Sequence, residues 1–145
     1  YQFWQQIIFK KLILEGTAED LSATQVTQPL LLTANHAIWK TTNISPSEVE
    51  LMAGHSLGEY SAYVAAESLD FEEALTLVSL RAKFMQEAVK EGEGGIAAII
   101  GLNYSELLTI CNEITEDGNL VSMANINSDN QIVISGTKIA IDTLI

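Results

Sequence analysis

At 145 residues the chain has the length of one ordinary domain, enough to bury roughly 68–70% of its unfolded surface. Hydrophobic residues make up 48% and charged residues 18%, a globular composition that excludes a disordered tail. Seven basic residues against 19 acidic ones leave a net charge of −12. Sequence-independent binding to nucleic acid or anionic lipid is therefore not expected, because both need Lys and Arg to displace counterions.

The lone Cys111 can form neither an intramolecular disulfide nor a zinc knuckle, which points to a reducing cytoplasm. The longest apolar stretches, residues 62–66 and 96–100, fall far short of the ~20 residues of a membrane-spanning helix. No basic-apolar-small cleavage pattern follows Tyr1, and both ends read as cut within a longer pattern.

Taken in chain order, apolar residues at Trp4, Ile7, Ile8 and Leu12 predict a helix over residues 3–14, ended by Gly16. Thr27-Gln28-Pro29 reads as a turn feeding a helix over 30–40, with Pro29 in its first turn where the missing N–H costs nothing. Residues 43–48 read as a loop around Pro46. Residues 49–53 predict a short strand, followed by a sharp turn and an Ala-rich helix over 59–68. Asp70 and Glu73 form a capping-box pattern ahead of a helix over 71–89, whose polar face carries Glu72, Thr76, Lys83, Glu87 and Lys90.

The Gly-rich run 91–95 breaks that helix. A strand over 95–102, a helix over 105–114, strands over 120–126 and 131–135 joined at Ser128-Asp129-Asn130, and a helix from 138 onward follow. This β-α-β-β-α order is that of a split ferredoxin-like unit without its final strand.

Between the predicted strand and helix lies Gly54-His55-Ser56-Leu57-Gly58, a G-x-S-x-G pentapeptide in the context that makes it a nucleophile elbow. Ser56 is the candidate nucleophile. Gly54 and Gly58 are expected to let strand and helix pass where a Cβ would collide, and the N–H of Leu57 would open the helix toward a developing oxyanion. His55 adjoins Ser56 but projects in a different direction, so a pocket-lining or hydrogen-bonding role, or plain core packing, suits it better than that of base. His36 falls on the preceding helix and reads as a helix-surface residue. Serine needs a base, which is expected beyond Ile145.

Arg81 is the chain's only arginine. Ala74, Leu77, Val78, Met85 and Ala88 lie at helical spacing from it and define an apolar stripe, so Arg81 is expected to face inward. A buried guanidinium needs an anion, either one of the chain's own carboxylates or one brought by the substrate, unless it snorkels to the surface, and its planar fork matches a carboxylate bidentately. Cys111 shares a stripe with Leu107, Leu108 and Ile114 and reads as a small core hydrophobe. Cysteine and histidine are too few and too scattered for zinc, and no metal is expected.

Thr27-Gln28-Pro29, the run Gly54-His55-Ser56-Leu57-Gly58-Glu59-Tyr60-Ser61-Ala62, Arg81-Ala82-Lys83-Phe84-Met85-Gln86, Ala97-Ala98-Ile99-Ile100-Gly101-Leu102, and Asn125-Ile126-Asn127-Ser128 through Ser135-Gly136 together resemble the malonyl-CoA:acyl carrier protein transacylase family. The resemblance implies an α/β architecture: a partial α/β-hydrolase-like large subdomain over 1–91 with an inserted ferredoxin-like small one over 92–145.

It further implies Ser56 as the acyl-accepting nucleophile of bacterial fatty-acid synthesis, Leu57 as an oxyanion donor, Arg81 as partner of the free malonyl carboxylate, and Met85 beside it in the acyl pocket. Gln28 and Asn127 would lie near the site, with His55 secondary. Malonyl-CoA and acyl carrier protein are the implied partners, without cofactor, nucleic acid or membrane.

Two family features, an N-terminal strand with a Gln-bearing turn and the catalytic His, fall outside this sequence, so the 145 residues alone are expected to be nearly inactive. Acyl carrier proteins are typically acidic, so docking on a chain of net charge −12 would need a local basic patch. The competing readings are an acyltransferase domain of a polyketide synthase, a serine esterase, which leaves Arg81 without a purpose, and a non-catalytic fragment.

Overall fold

The computed structural model describes residues 10–90 and 92–145, apart from the side chain of Glu116. The first seven residues of the helix expected over 3–14 lie outside this range; residues 10–15 are helical and Gly16 lies past their end. The chain is mixed α/β, and its contacts divide it into two compact units, residues 1–88 and 89–145.

Within its described residues the first unit is helical. Helix α1 (Ala18–Ser22) is capped by Thr17, whose hydroxyl accepts from the Asp20 N–H while the Asp20 carboxylate accepts from the Thr17 N–H, a reciprocal box that satisfies two end donors. Helix α2 (Thr24–Thr41) runs straight through Thr27-Gln28-Pro29. The expected turn is thus absent, and Pro29 sits in the second turn, where it forfeits a backbone hydrogen bond. Burial outweighs that loss: Gln28, Pro29, Leu30 and Leu32 are all buried, and the Thr27 hydroxyl donates to the carbonyls of Leu21 and Ala23.

A single 3-10 turn (Pro46–Glu48), boxed by Ser45 and Glu48, occupies the expected loop. Helices α3 (Leu57–Ala65) and α4 (Phe71–Ala88) follow. Asp70 caps α4, its Oδ1 accepting from the N–H groups of Glu72 and Glu73 at 2.8 and 3.3 Å. Leu32, Leu57, Val64, Ala74 and Val78 form the core that holds α2, α3 and α4 together.

Residues 49–53 do not form a strand. Val49 is extended at φ −115° and ψ 119°, but no described strand pairs with this segment, and a strand is defined by the neighbour that takes its hydrogen bonds.

The second unit has the expected element order: β1 (Gly94–Ile100), α5 (Tyr104–Glu116), β2 (Val121–Ser128), β3 (Gln131–Thr137) and α6 (Lys138–Leu144). Its three strands are antiparallel in the order β1-β3-β2. Irregularities between Met123 and Asn125 and between Ile126 and Ser128 break the β2–β3 register. The helical face of the sheet buries Leu107, Cys111, Ile114, Val121, Ile132, Ile134, Ala140 and Ile141. Leu108, expected on that stripe, is instead exposed. Burial pushes the Cys111 thiol up from its ordinary value, which keeps it protonated and inert.

Candidate active site

The elbow is built by local backbone bonds around one strained residue. The Gly58 N–H donates to the His55 carbonyl at 2.9 Å, and the Glu59 N–H to the Ser56 carbonyl at 3.2 Å. Between them Ser56 adopts φ 54° and ψ −112°, a conformation that costs an L-residue about 1–3 kcal/mol and that functional sites characteristically store. It leaves the Ser56 side chain exposed at the N-terminus of α3.

Gly54 makes this turn possible: a Cβ there would stand 2.0 Å from the carbonyl carbon and oxygen of Gly58. The requirement is one-sided, contrary to the symmetric expectation, since a Cβ on Gly58 would meet nothing within 4 Å. The Leu57 N–H, first in α3, makes no hydrogen bond to another described residue.

Arg81 reaches the nucleophile from α4. Its Nη2 donates to Ser56 Oγ at 2.9 Å, its Nη1 donates to Gln28 Oε1, and its Cζ lies 5.9 Å from the centre of the Tyr60 ring, close enough for a cation–π attraction. Arg81 is half-buried. The stripe that led to it is partly wrong, because Leu77, Met85 and Ala88 are exposed and the buried face of α4 is Ala74, Val78 and Ala82. Arg81 therefore flanks the core, at the margin where the elbow adjoins it.

Among the described residues the ion pairs are Lys83–Glu87, Lys90–Glu93 and Lys138–Asp142, all exposed and local in sequence. No described carboxylate pairs with Arg81.

Gln28 projects from α2 into the same cluster, only 6% exposed, and its Nε2 donates to Met85 Sδ at 3.3 Å and to Thr24 Oγ1 at 2.8 Å. Four of the expected site residues, Gln28, Ser56, Arg81 and Met85, thus lie in one hydrogen-bonded chain. His55 is exposed and its imidazole makes no hydrogen bond to a described residue. Asn127 belongs to the second unit, where its Nδ2 donates to Gln131 Oε1 at 3.0 Å.

His36 is not the surface residue expected of it. Its ring stacks on Phe71 at 4.4 Å and Nδ1 is buried without a partner among the described residues. Burial, aided by Lys40 and opposed by Asp70, holds its pKa below the ordinary value. Among the described residues no group of three His, Cys, Asp or Glu could hold a metal ion.

Sequence reasoning missed Tyr60 and Thr24. Both lie four residues from a residue it did find, Tyr60 after Ser56 and Thr24 before Gln28, and hence one helical turn away on the same face.

A strained serine at a helix N-terminus, with a guanidinium on its hydroxyl, is one block in a pattern that extends along the sequence. The family model described as "Acyl transferase domain" matches residues 5–145. The chain belongs to the acyl transferase domain family.

Among similar members, the malonyl CoA-acyl carrier protein transacylases of Salmonella typhimurium and Bacillus subtilis are each 50% identical over 129 residues. Those alignments cover 88% and 87% of this chain but 41% and 40% of the relatives. The chain thus spans about two-fifths of the length of the curated relatives it matches.

Among solved structures, the transacylase of Coxiella burnetii superposes with a TM-score of 0.83 at 47% identity, covering 92% of this chain and 42% of that one. A malonyl-transacylase in complex with a type II polyketide acyl-carrier protein gives 0.85 at 45% identity, covering 92% and 43%.

Proposed function

We propose that this acyl transferase segment carries the nucleophile and the carboxylate recognition of a malonyl-CoA:acyl carrier protein transacylase of fatty-acid synthesis. The observation that carries the reading is a guanidinium 2.9 Å from the serine hydroxyl with no described carboxylate paired to it. An anion supplied by substrate would complete it. Arg81 lies beside the hydroxyl, so the acyl group that suits it is short, with its carboxylate one carbon from the reacting carbonyl. Malonyl has that shape, whereas a neutral ester would leave Arg81 unused.

In this mechanism the malonyl carboxylate takes over Arg81 Nη2 from Ser56 Oγ, while Gln28 keeps its bond to Nη1. Ser56 Oγ, giving up its proton to a base, attacks the thioester carbonyl carbon. Charge develops on the carbonyl oxygen, where the unused Leu57 N–H is the donor at hand. Collapse breaks the carbon–sulfur bond, coenzyme A leaves as the thiol after protonation, and malonyl-Ser56 remains. The phosphopantetheine thiol of acyl carrier protein then attacks the ester carbonyl and restores the serine.

The exchange is redox-neutral and calls for no cofactor. Neither His55 nor His36 hydrogen-bonds Ser56 Oγ, so the base is assigned to neither. Met85, tied to Gln28, would border the acyl pocket, and His55 and Asn127 keep peripheral roles.

The same reading assigns residues 1–91 to the large acyltransferase subdomain, α/β-hydrolase-like in type, and 92–145 to a ferredoxin-like small one. The β-α-β-β-α order and the β1-β3-β2 sheet support the latter. A polyketide carrier is a second candidate acceptor, favoured by the related transacylase in complex with such a protein.

The test is to incubate the full-length protein with malonyl-CoA and map the adduct by mass spectrometry. The reading predicts a malonyl ester on Ser56, absent in Ser56→Ala and discharged by holo acyl carrier protein. An adduct elsewhere, or hydrolysis without transfer to any carrier, would refute it.

A further inference from the structure

The Gln28 side chain poses an orientation problem that its neighbours solve. A buried primary amide has an acceptor end and a donor end that are nearly equal in shape, and only its partners decide which faces which way. The Oε1 end receives Arg81 Nη1, while the Nε2 end donates to Thr24 Oγ1 at 2.8 Å and to Met85 Sδ at 3.3 Å. Turned round, the amide would set its N–H groups against the guanidinium, donor against donor, and Arg81 would lose its fixed acceptor.

Sulfur is a weak acceptor, so the hydroxyl is the stronger of the two groups that hold the donor end. Its availability follows from its place in α2. Thr24 is the first helical residue and Ala23 the N-cap, so the Thr24 hydroxyl is not spent on capping, and it faces the residue one turn on.

We propose that Thr24 is a positioning residue for carboxylate recognition: the donor-only guanidinium and the acceptor-only Met85 sulfur set which way the Gln28 amide faces, and the Thr24 hydroxyl anchors its Nε2 end, thereby holding Oε1 and with it the guanidinium beside Ser56. The inference rests on the malonyl-transfer reading and adds to it a residue that contacts neither substrate nor nucleophile. A merely structural Thr24 would affect all acyl groups alike. A positioning Thr24 affects those that use Arg81.

The experiment compares loading of Ser56 in the full-length protein from malonyl-CoA and from acetyl-CoA, as kcat/KM for each, in wild type, Thr24→Val, Thr24→Ser and Arg81→Ala. Thr24→Val keeps shape and removes the acceptor. It is expected to lower malonyl loading about five- to tenfold, the loss of one oriented hydrogen bond, with acetyl loading within about twofold of wild type. Thr24→Ser, which restores the hydroxyl, is expected to recover the malonyl preference.

Equal losses for both acyl groups, or an unchanged preference in Thr24→Val, would overturn the proposal. If Thr24→Val does not fold, Thr24→Ala removes the same acceptor with less bulk and carries the same expectation and the same refutation. Arg81→Ala separates the two levels. If it leaves the malonyl preference intact, the malonyl-transfer reading itself fails; if it abolishes the preference while Thr24→Val does not move it, only the role of Thr24 fails.

Discussion

Replacing Gly54 with Ala tests whether the elbow's geometry positions the nucleophile. The added methyl would stand 2.0 Å from the Gly58 carbonyl carbon and oxygen and 2.5 Å from the Glu59 nitrogen, all backbone atoms that no rotamer change can clear. Relief requires the chain before the elbow to separate from the start of α3 by more than about 1 Å, and a misplacement of that size costs about 10²-fold in rate. Overpacking costs a further ~1–3 kcal/mol of stability. Gly58→Ala is the control, since its methyl meets nothing within 4 Å. The assay is single-turnover acylation of Ser56 in the full-length protein, with thermal melting by circular dichroism alongside. Gly54→Ala should acylate at least about 100-fold more slowly than wild type and Gly58→Ala within about threefold. Equal effects at the two glycines would refute the reasoning.

Two further predictions concern stability. His36 is held below its ordinary pKa by burial first, so protonation favours the unfolded chain; its contribution is present above the unfolded value of about 6.5 and is lost as pH falls through the lowered folded one. His36→Phe, which keeps a ring against Phe71, should flatten the fall of melting temperature between about pH 7 and pH 5; an unchanged slope would contradict the assignment. Ile134, fully buried in the second unit, should cost about 2–5 kcal/mol on truncation to Ala by chemical denaturation, whereas Ile96→Ala, at a side chain 74% exposed, should cost under about 1 kcal/mol.

What the sequence disclosed was whatever depends on neighbours close along the chain. The G-x-S-x-G spacing located Ser56 and its turn, because the bonds from Gly58 and Glu59 back to His55 and Ser56 are local. Asp70 announced α4 for the same reason. The element order of residues 94–144 was legible because helical periodicity and strand alternation are both short-range signals.

The failures lie where distant partners decide. Residues 49–53 have strand composition, yet pairing is a property of two segments. Pro29 signals a helix start, but the burial of Gln28, Leu30 and Leu32 carries α2 through it. The apolar spacing around Arg81 selects Ala74 and Val78 correctly as interior but adds Leu77, Met85 and Ala88, which are exposed, and passes over Ala82, which is buried. Arg81 was found by a stripe that is partly exposed. Its partners Gln28, Tyr60 and Ser56 lie 53, 21 and 25 residues away in sequence, beyond any local pattern.

The most direct test of the central claim, that Arg81 receives the acyl group's carboxylate beside Ser56, is the acyl preference of Arg81→Ala in the full-length protein. Removing the partner of a desolvated carboxylate costs about 3–5 kcal/mol, and the half-exposed setting of Arg81 places the effect at the lower end. The account predicts a fall in malonyl kcat/KM of about 10²-fold or more, with acetyl transfer retained or raised. Equal losses for malonyl and acetyl would contradict it.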